Sequence, residues 1–208
     1  MNINAYLTNS HYSIDNPKFN LEKYTKKIKK KTGYDVKSIE RGVAHYQKDD
    51  HNIISLKGTN PKNLDDIKSD LAIANGTTQK DKQFRERKTK VKNILKTIDK
   101  KDTVDITAHS LGAGIATSIM TKSESIRNRV DNVHSYNAGY SKLFHKELTK
   151  GLAKPDREIL NDKITHNRIK GDVVSSEIKA GAVGTVKTIE PERESQGVLG
   201  NHSLDNFI

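Results

Sequence analysis

Ten residues, Asp105-Ile-Thr-Ala-His-Ser-Leu-Gly-Ala-Gly114, constrain the fold more than any other part of this chain. Val104 to Thr107 have the composition of the end of a short strand. Ala108, His109 and Ser110 form a tight turn, and Leu111 to Lys122 reads as a helix that begins at that turn. So sharp a passage from strand to helix brings the two backbones close together, and only small side chains fit between them. Ala108, Gly112 and Gly114 are small at the required places.

A serine at the apex of such a turn has its hydroxyl presented outward and the first amides of a helix behind it, where developing negative charge is stabilised. The arrangement reads as a nucleophile elbow, Gly-x-Ser-x-Gly, with Ala108 at the first glycine position. One methyl is the mildest departure from that pattern. The alternative is a glycine-containing loop that leads into a buried helix, and Ser-x-Gly alone does not exclude it.

The surrounding pattern predicts an α/β fold: a single domain over residues 1–208, with a mainly parallel central sheet flanked by helices on both faces. Residues 1–18 read as a polar, turn-like N-terminal segment, followed by a helix from Asn20 to Lys31 that stops at Gly33. Strands are expected at Tyr34–Ile39, Gly42–Gln47, Asn52–Leu56, Asp131–Asn137, Ile164–Ile169 and Val183–Ile189, besides the elbow strand. Leu64 to Ile73, Phe84 to Ile98 and Ser141 to Lys150 have helical spacing. Residues 75–88 form a polar lid-like segment in which Phe84 is the one side chain suited to touch an acyl chain, and the segment that holds Asp156 and Asp162 reads as surface loop.

Of 208 residues, 33% are hydrophobic and 30% charged, with no cysteine, which describes a polar globule without disulfides or thiolate metal sites. No apolar run approaches the roughly 18 to 20 residues that span a bilayer, and Met1 to Leu7 lacks the features of a secretory signal. An intracellular, cytoplasmic protein is expected, and the lysine- and asparagine-rich composition is also compatible with a virus-associated one. The net charge of +11 concentrates in Lys26, Lys27, Lys29, Lys30 and Lys31 on the helix with apolar positions Leu21, Tyr24 and Ile28. This is a solvated helix face that can also make peripheral contact with an anionic membrane. Without interleaved aromatics or a known motif, it argues against nucleic acid. Oligomeric state is not legible in the sequence.

A nucleophilic serine needs a base and an acid, and in α/β-hydrolases the chain order is Ser, Asp or Glu, His. His134 and His166 fall inside expected strands and His145 inside a helix. His202, in a loop near the C-terminus, is the candidate base. Asp172 follows a strand and a glycine and is the candidate acid, ahead of Asp156 and Asp162; taken alone it is an ordinary turn aspartate. Neither a metal nor an organic cofactor is required. Removing residues 201–208 is expected to abolish turnover and spare the fold.

With these residues in place, the chain resembles the class 3 lipase family of α/β-hydrolases. The resemblance rests on Ile54-Ser-Leu-Lys-Gly-Thr59 with Leu64 to Leu71 behind it, on the elbow Thr107 to Gly114, on Tyr136-Asn-Ala-Gly139, and on Asn167 to Val174. It covers about residues 52 to 174, and His202 joins by order alone. The family's arginine at Lys57 and its aromatic near Asp66 or Ile67 are absent. The resemblance implies hydrolysis of a carboxylic ester, either a lipid or phospholipid acyl ester or a small ester. Ser110, Asp172 and His202 would be catalytic, and the amides of Thr59 and Leu111 would form the oxyanion hole. A rival reading is an inactive hydrolase-fold binding module that uses its basic surface for anionic lipid, nucleic acid or a protein partner.

Overall fold

The computed structural model describes residues 1–58, 82–176, 178, 181–191 and 197–208. One seven-stranded sheet holds β1 (Asp35–Glu40), β2 (Val43–Lys48), β3 (His51–Leu56), β4 (Thr103–His109), β5 (Asn132–Tyr136), β6 (Ile164–Ile169) and β7 (Thr185–Ile189). They lie side by side in chain order. β1, β2 and β3 pair antiparallel as a meander, and β3 to β7 run parallel. The protein is therefore an α/β structure whose sheet is mostly parallel.

The strand order has a strict consequence. Parallel strands laid down in sequence with right-handed crossovers send every connecting helix to the same face. That face carries α3 (Lys82–Thr97), α4 (Leu111–Lys122), α5 (Glu124–Arg127), α6 (Lys142–Thr149) and α7 (Lys154–Lys163). The large apolar core lies beneath them, built from Ile54, Leu56, Val104 and Ile106 against Val91, Ile115, Ile119 and Phe144. Among the described residues the opposite face has no crossovers and is covered by the helices before β1 and the residues after 203. α1 (Ile3–His11) lies over β4, where the hydroxyls of Thr8 and Thr107 meet at 2.6 Å. α2 (Leu21–Thr32) closes a second cluster of Tyr24, Ile28, Tyr46 and Ile53. Leu204 and Phe207, on a 3-10 turn after α8 (Gly197–His202), join Ala5, Tyr136 and Ile169 in a third.

Local chemistry explains the boundaries. Asn20 caps α2 through its side chain, and Gly33 ends it in the left-handed conformation at φ 79°. Every strand expected from the sequence is present within two residues of its anticipated ends. Three expectations are corrected. Residues 1–18 are not turn-like: Asn2 caps a nine-residue helix, α1, which a 3-10 helix at Tyr12–Asp15 extends. Residues 154–163 are helix α7 rather than loop, started by Pro155 in its first turn. Phe84 is only 2% exposed and packs in the main core, so it is not a side chain for acyl contact. The rest of the lid-like segment up to residue 81, together with the helix expected at Leu64 to Ile73, lies outside the described residues; Lys82 onward belongs to α3.

Candidate active site

Ser110 sits between β4 and α4 with φ 54° and ψ −127°, a backbone conformation that side chains other than glycine's rarely adopt. The surroundings hold it there. Its N–H donates to the Tyr136 carbonyl at 3.0 Å, and its own carbonyl accepts from the Ala113 and Gly139 amides at 3.0 and 3.1 Å. The small residues are explained by contact. A Cβ on Gly112 would lie 2.2 Å from the Leu56 carbonyl oxygen, and one on Gly114 would lie 2.9 Å from that of Gly139. Ala108 faces fully into the core, where its methyl fits without displacing anything.

His202 and Asp172 arrive from two other directions and meet at the serine. The Ser110 hydroxyl donates to His202 Nε2 at 3.0 Å, and His202 Nδ1–H donates to Asp172 Oδ1 at 3.0 Å. The exposures are 3% for Ser110, 1% for His202 and 0% for Asp172. His202 is the last residue of α8 rather than part of a loop, as the sequence had suggested. Asp172 follows Gly171, which turns the chain after β6 at φ 84°.

Burial works against a charged Asp172. Hydrogen bonds from His202 and from the hydroxyl and amide of Ser175 outweigh it and hold the carboxyl below the ordinary carboxylate range. Asp172 is therefore held in its ionised form beside His202. Leu111 is the first residue of α4, and its N–H is one of the amides a helix cannot satisfy internally. Gly58 abuts it: a Cβ there would lie 3.2 Å from the Leu111 nitrogen and 2.9 Å from Ser110 Cβ. The other oxyanion donor expected from the sequence, Thr59, lies outside the described residues.

Of the other histidines weighed as bases, His134, His145 and His166 take no part in this line. His166 is buried in β6 between the Ser135 hydroxyl and the Val183 carbonyl, and burial pulls its pKa down to about 4. Asp156 is ion-paired with Arg127 at 2.9 Å. Among the described residues no group of three ligating side chains is arranged to hold a metal ion, and no helix is long and apolar enough to cross a membrane.

Sequence reasoning missed several side chains that support the site. Asn137, at φ 41° after β5, is fully buried. Its Oδ1 accepts from the Ile169 amide at 2.9 Å and its Nδ2 donates to the Asn201 carbonyl at 3.0 Å, so it ties the acid's strand to the base's helix. Ser175 steadies Asp172. Lys57 is buried and ion-paired with Asp15 from the N-terminal 3-10 helix, while Arg87 bonds the Lys57 carbonyl. Tyr12 and His109 lie between that N-terminal segment and His202. Asn137 had a signal, since an asparagine straight after a strand often takes a left-handed turn. Tyr12 had none, because nothing in the sequence placed residue 12 beside residue 109.

No known protein-family model matches the chain, and no curated protein matches it either.

Proposed function

We propose that this protein is a serine hydrolase of the α/β-hydrolase fold and class 3 lipase type, acting on carboxylic esters. The observation that carries the reading is the continuous, buried hydrogen-bonded line from Ser110 through His202 to Asp172. It begins at a serine whose backbone is held at positive φ beside an open helix N-terminus.

The chemistry follows from the donors and acceptors. As Ser110 Oγ attacks the ester carbonyl carbon, its proton passes to His202 Nε2. The imidazolium so formed keeps its Nδ1–H on the Asp172 carboxylate. The tetrahedral oxyanion takes the Leu111 amide and, in this proposal, that of Thr59. Collapse of the intermediate expels the alcohol, which takes the proton back from Nε2 and leaves an acyl-serine. Water then repeats the cycle, with His202 as base and then acid, and releases the carboxylic acid. Every proton is supplied and returned within the triad, so neither metal nor cofactor enters.

The exposed face of α2 supports an anionic lipid surface as one setting for the substrate. Lys23, Lys26, Lys27 and Lys30 recur at helical spacing opposite the buried Tyr24, Ile28 and Thr32, and among the described residues Lys26 alone of the four has an ion-pair partner, the well-exposed Glu22.

The deciding experiment is incubation with a fluorophosphonate probe. A single adduct on Ser110, absent in Ser110→Ala, is expected; an unlabelled wild type, or equal labelling of the variant, refutes the reading. A chain-length series of p-nitrophenyl esters, with and without anionic vesicles, then separates a small-ester enzyme from a phospholipid one.

A further inference from the structure

We infer that Tyr12 and His109 form a positioning relay that fixes the backbone of His202 against the Gly58 turn, an inference that rests on the hydrolase reading above. Four groups lie in line. The Gly58 N–H donates to the Tyr12 hydroxyl at 2.9 Å, that hydroxyl lies 2.9 Å from His109 Nδ1, and His109 Nε2 lies 2.9 Å from the His202 carbonyl oxygen.

The end groups force the direction of every bond between them. A backbone N–H can only donate and a carbonyl can only accept. The Tyr12 oxygen therefore receives the Gly58 proton and sends its own to His109 Nδ1. With Nδ1 acting as acceptor, the imidazole proton sits on Nε2 and is donated to the His202 carbonyl. No other placement of the protons satisfies all four groups at once.

His109 must be neutral for this to work. It is 1% exposed, and burial, followed by repulsion from His202, pulls its pKa down to about 3. Its ring lies 4.8 Å from that of His202, centroid to centroid. His109 is also the last residue of β4, directly before the nucleophile. One side chain thus links the nucleophile's strand to the base's backbone and, through Tyr12, to the turn beside the oxyanion site. The Asp15–Lys57 ion pair fastens the same N-terminal 3-10 helix to the residue before Gly58 and keeps Tyr12 in line. The Lys57 ammonium lies 5.2 Å from the centre of the Tyr12 ring.

Three variants test the relay. Tyr12→Phe keeps the ring and removes both hydroxyl bonds. His109→Gln carries a donor near the Nε2 position and retains the bond to His202. His109→Asn reaches only the Nδ1 position and loses that bond. Misplacing a catalytic group by a fraction of an ångström costs rate before it costs binding, so His109→Asn and Tyr12→Phe should lose roughly tenfold in kcat on a p-nitrophenyl ester with KM unchanged. His109→Gln should stay within about threefold of wild type. Equal rates for His109→Gln and His109→Asn, or losses that merely follow the fall in melting temperature, overturn the relay.

Imidazole 15N NMR on the wild type separates this failure from that of the hydrolase reading. The relay requires His109 as the neutral Nε2–H tautomer from pH 8 to 5, and an Nδ1–H tautomer overturns it even in a protein that labels. A protein with the required tautomer that neither labels nor turns over ester overturns the hydrolase reading alone.

Discussion

Acidification should destabilise this fold steeply, because three histidines are buried in the neutral state. His11, His109 and His166 are all fully enclosed, and burial is the first cause of each depressed pKa, to about 4, 3 and 4. Each is hydrogen-bonded in a way that suits the neutral ring; His11, for instance, lies between the Ser55 hydroxyl and the Glu40 carbonyl. The unfolded chain titrates these rings near 6.5. Between that value and the folded pKa, the unfolded state binds more protons, so stability is full above about pH 7 and is lost as the pH falls. Near pH 5.5 each ring contributes about 0.9 of a proton to the difference, which for three gives a slope of about 4 kcal/mol per pH unit. Integrated from pH 7 to pH 5, the loss is about 5.5 kcal/mol, comparable to the whole stability of many domains. Urea unfolding followed by circular dichroism at half-unit steps from pH 7.5 to 4.5 reads this directly. His166→Gln should lower the slope by about one third, since one of three protons is removed. A stability that stays flat between pH 6.5 and 5, or an unchanged slope in His166→Gln, would refute the assignment of these rings as neutral.

Other outcomes follow from the site itself. Ser110→Gly should abolish turnover yet raise stability by about 1 kcal/mol, since strain at positive φ is relieved, less the entropy that glycine adds to the unfolded chain; thermal melting checks it. Gly112→Ala should destabilise by about 1–3 kcal/mol or prevent folding, because the added methyl meets the Leu56 carbonyl at 2.2 Å. Asp172→Asn should cut kcat on the order of 10³ to 10⁴ by favouring the wrong imidazole tautomer, with far-UV circular dichroism unchanged. Asn137→Ala, which unties the Ile169 amide from the Asn201 carbonyl, should lower both melting temperature and kcat, whereas a purely local effect would spare kcat. Removal of residues 201–208 is not the clean test of the base that the sequence suggested. It also strips Leu204 and Phe207 from the cluster with Ala5, Tyr136 and Ile169. His202→Ala tests the base without that loss.

The elbow was legible because its requirements are local: a β-branched run, small residues at fixed offsets and a helical pattern after them. The strands were legible for the same reason, and so was the mostly parallel sheet that their alternation with helices implied. Chain order placed Asp172 and His202 as candidates, and the structure brings both to Ser110. Residues 1–18 were misread because α1 is short and five of its nine residues are polar, and its stability comes from the Asn2 cap and from packing on β4, which only the folded chain provides. Phe84 was misread because a lone aromatic in a lysine-rich stretch looks exposed until the helix phase turns it toward Val91 and the core. Asn137, Tyr12 and His109 act through long-range hydrogen bonds, and a linear pattern carries no record of those.

The winding of the sheet bears on how such a site can be made. The face that carries no crossover among the described residues is closed by segments far apart in the chain, with Asn9 and Asp205 joined at 3.1 Å across 196 positions. The contact between α1 and the 3-10 turn at 204–207 cannot form until both segments exist. Contacts of such long sequence separation close late and slowly, so a nascent chain holds its serine on a formed elbow, apart from His202, until residues 197–208 emerge. The proposed hydrolytic competence would then appear in one late step as these two segments meet.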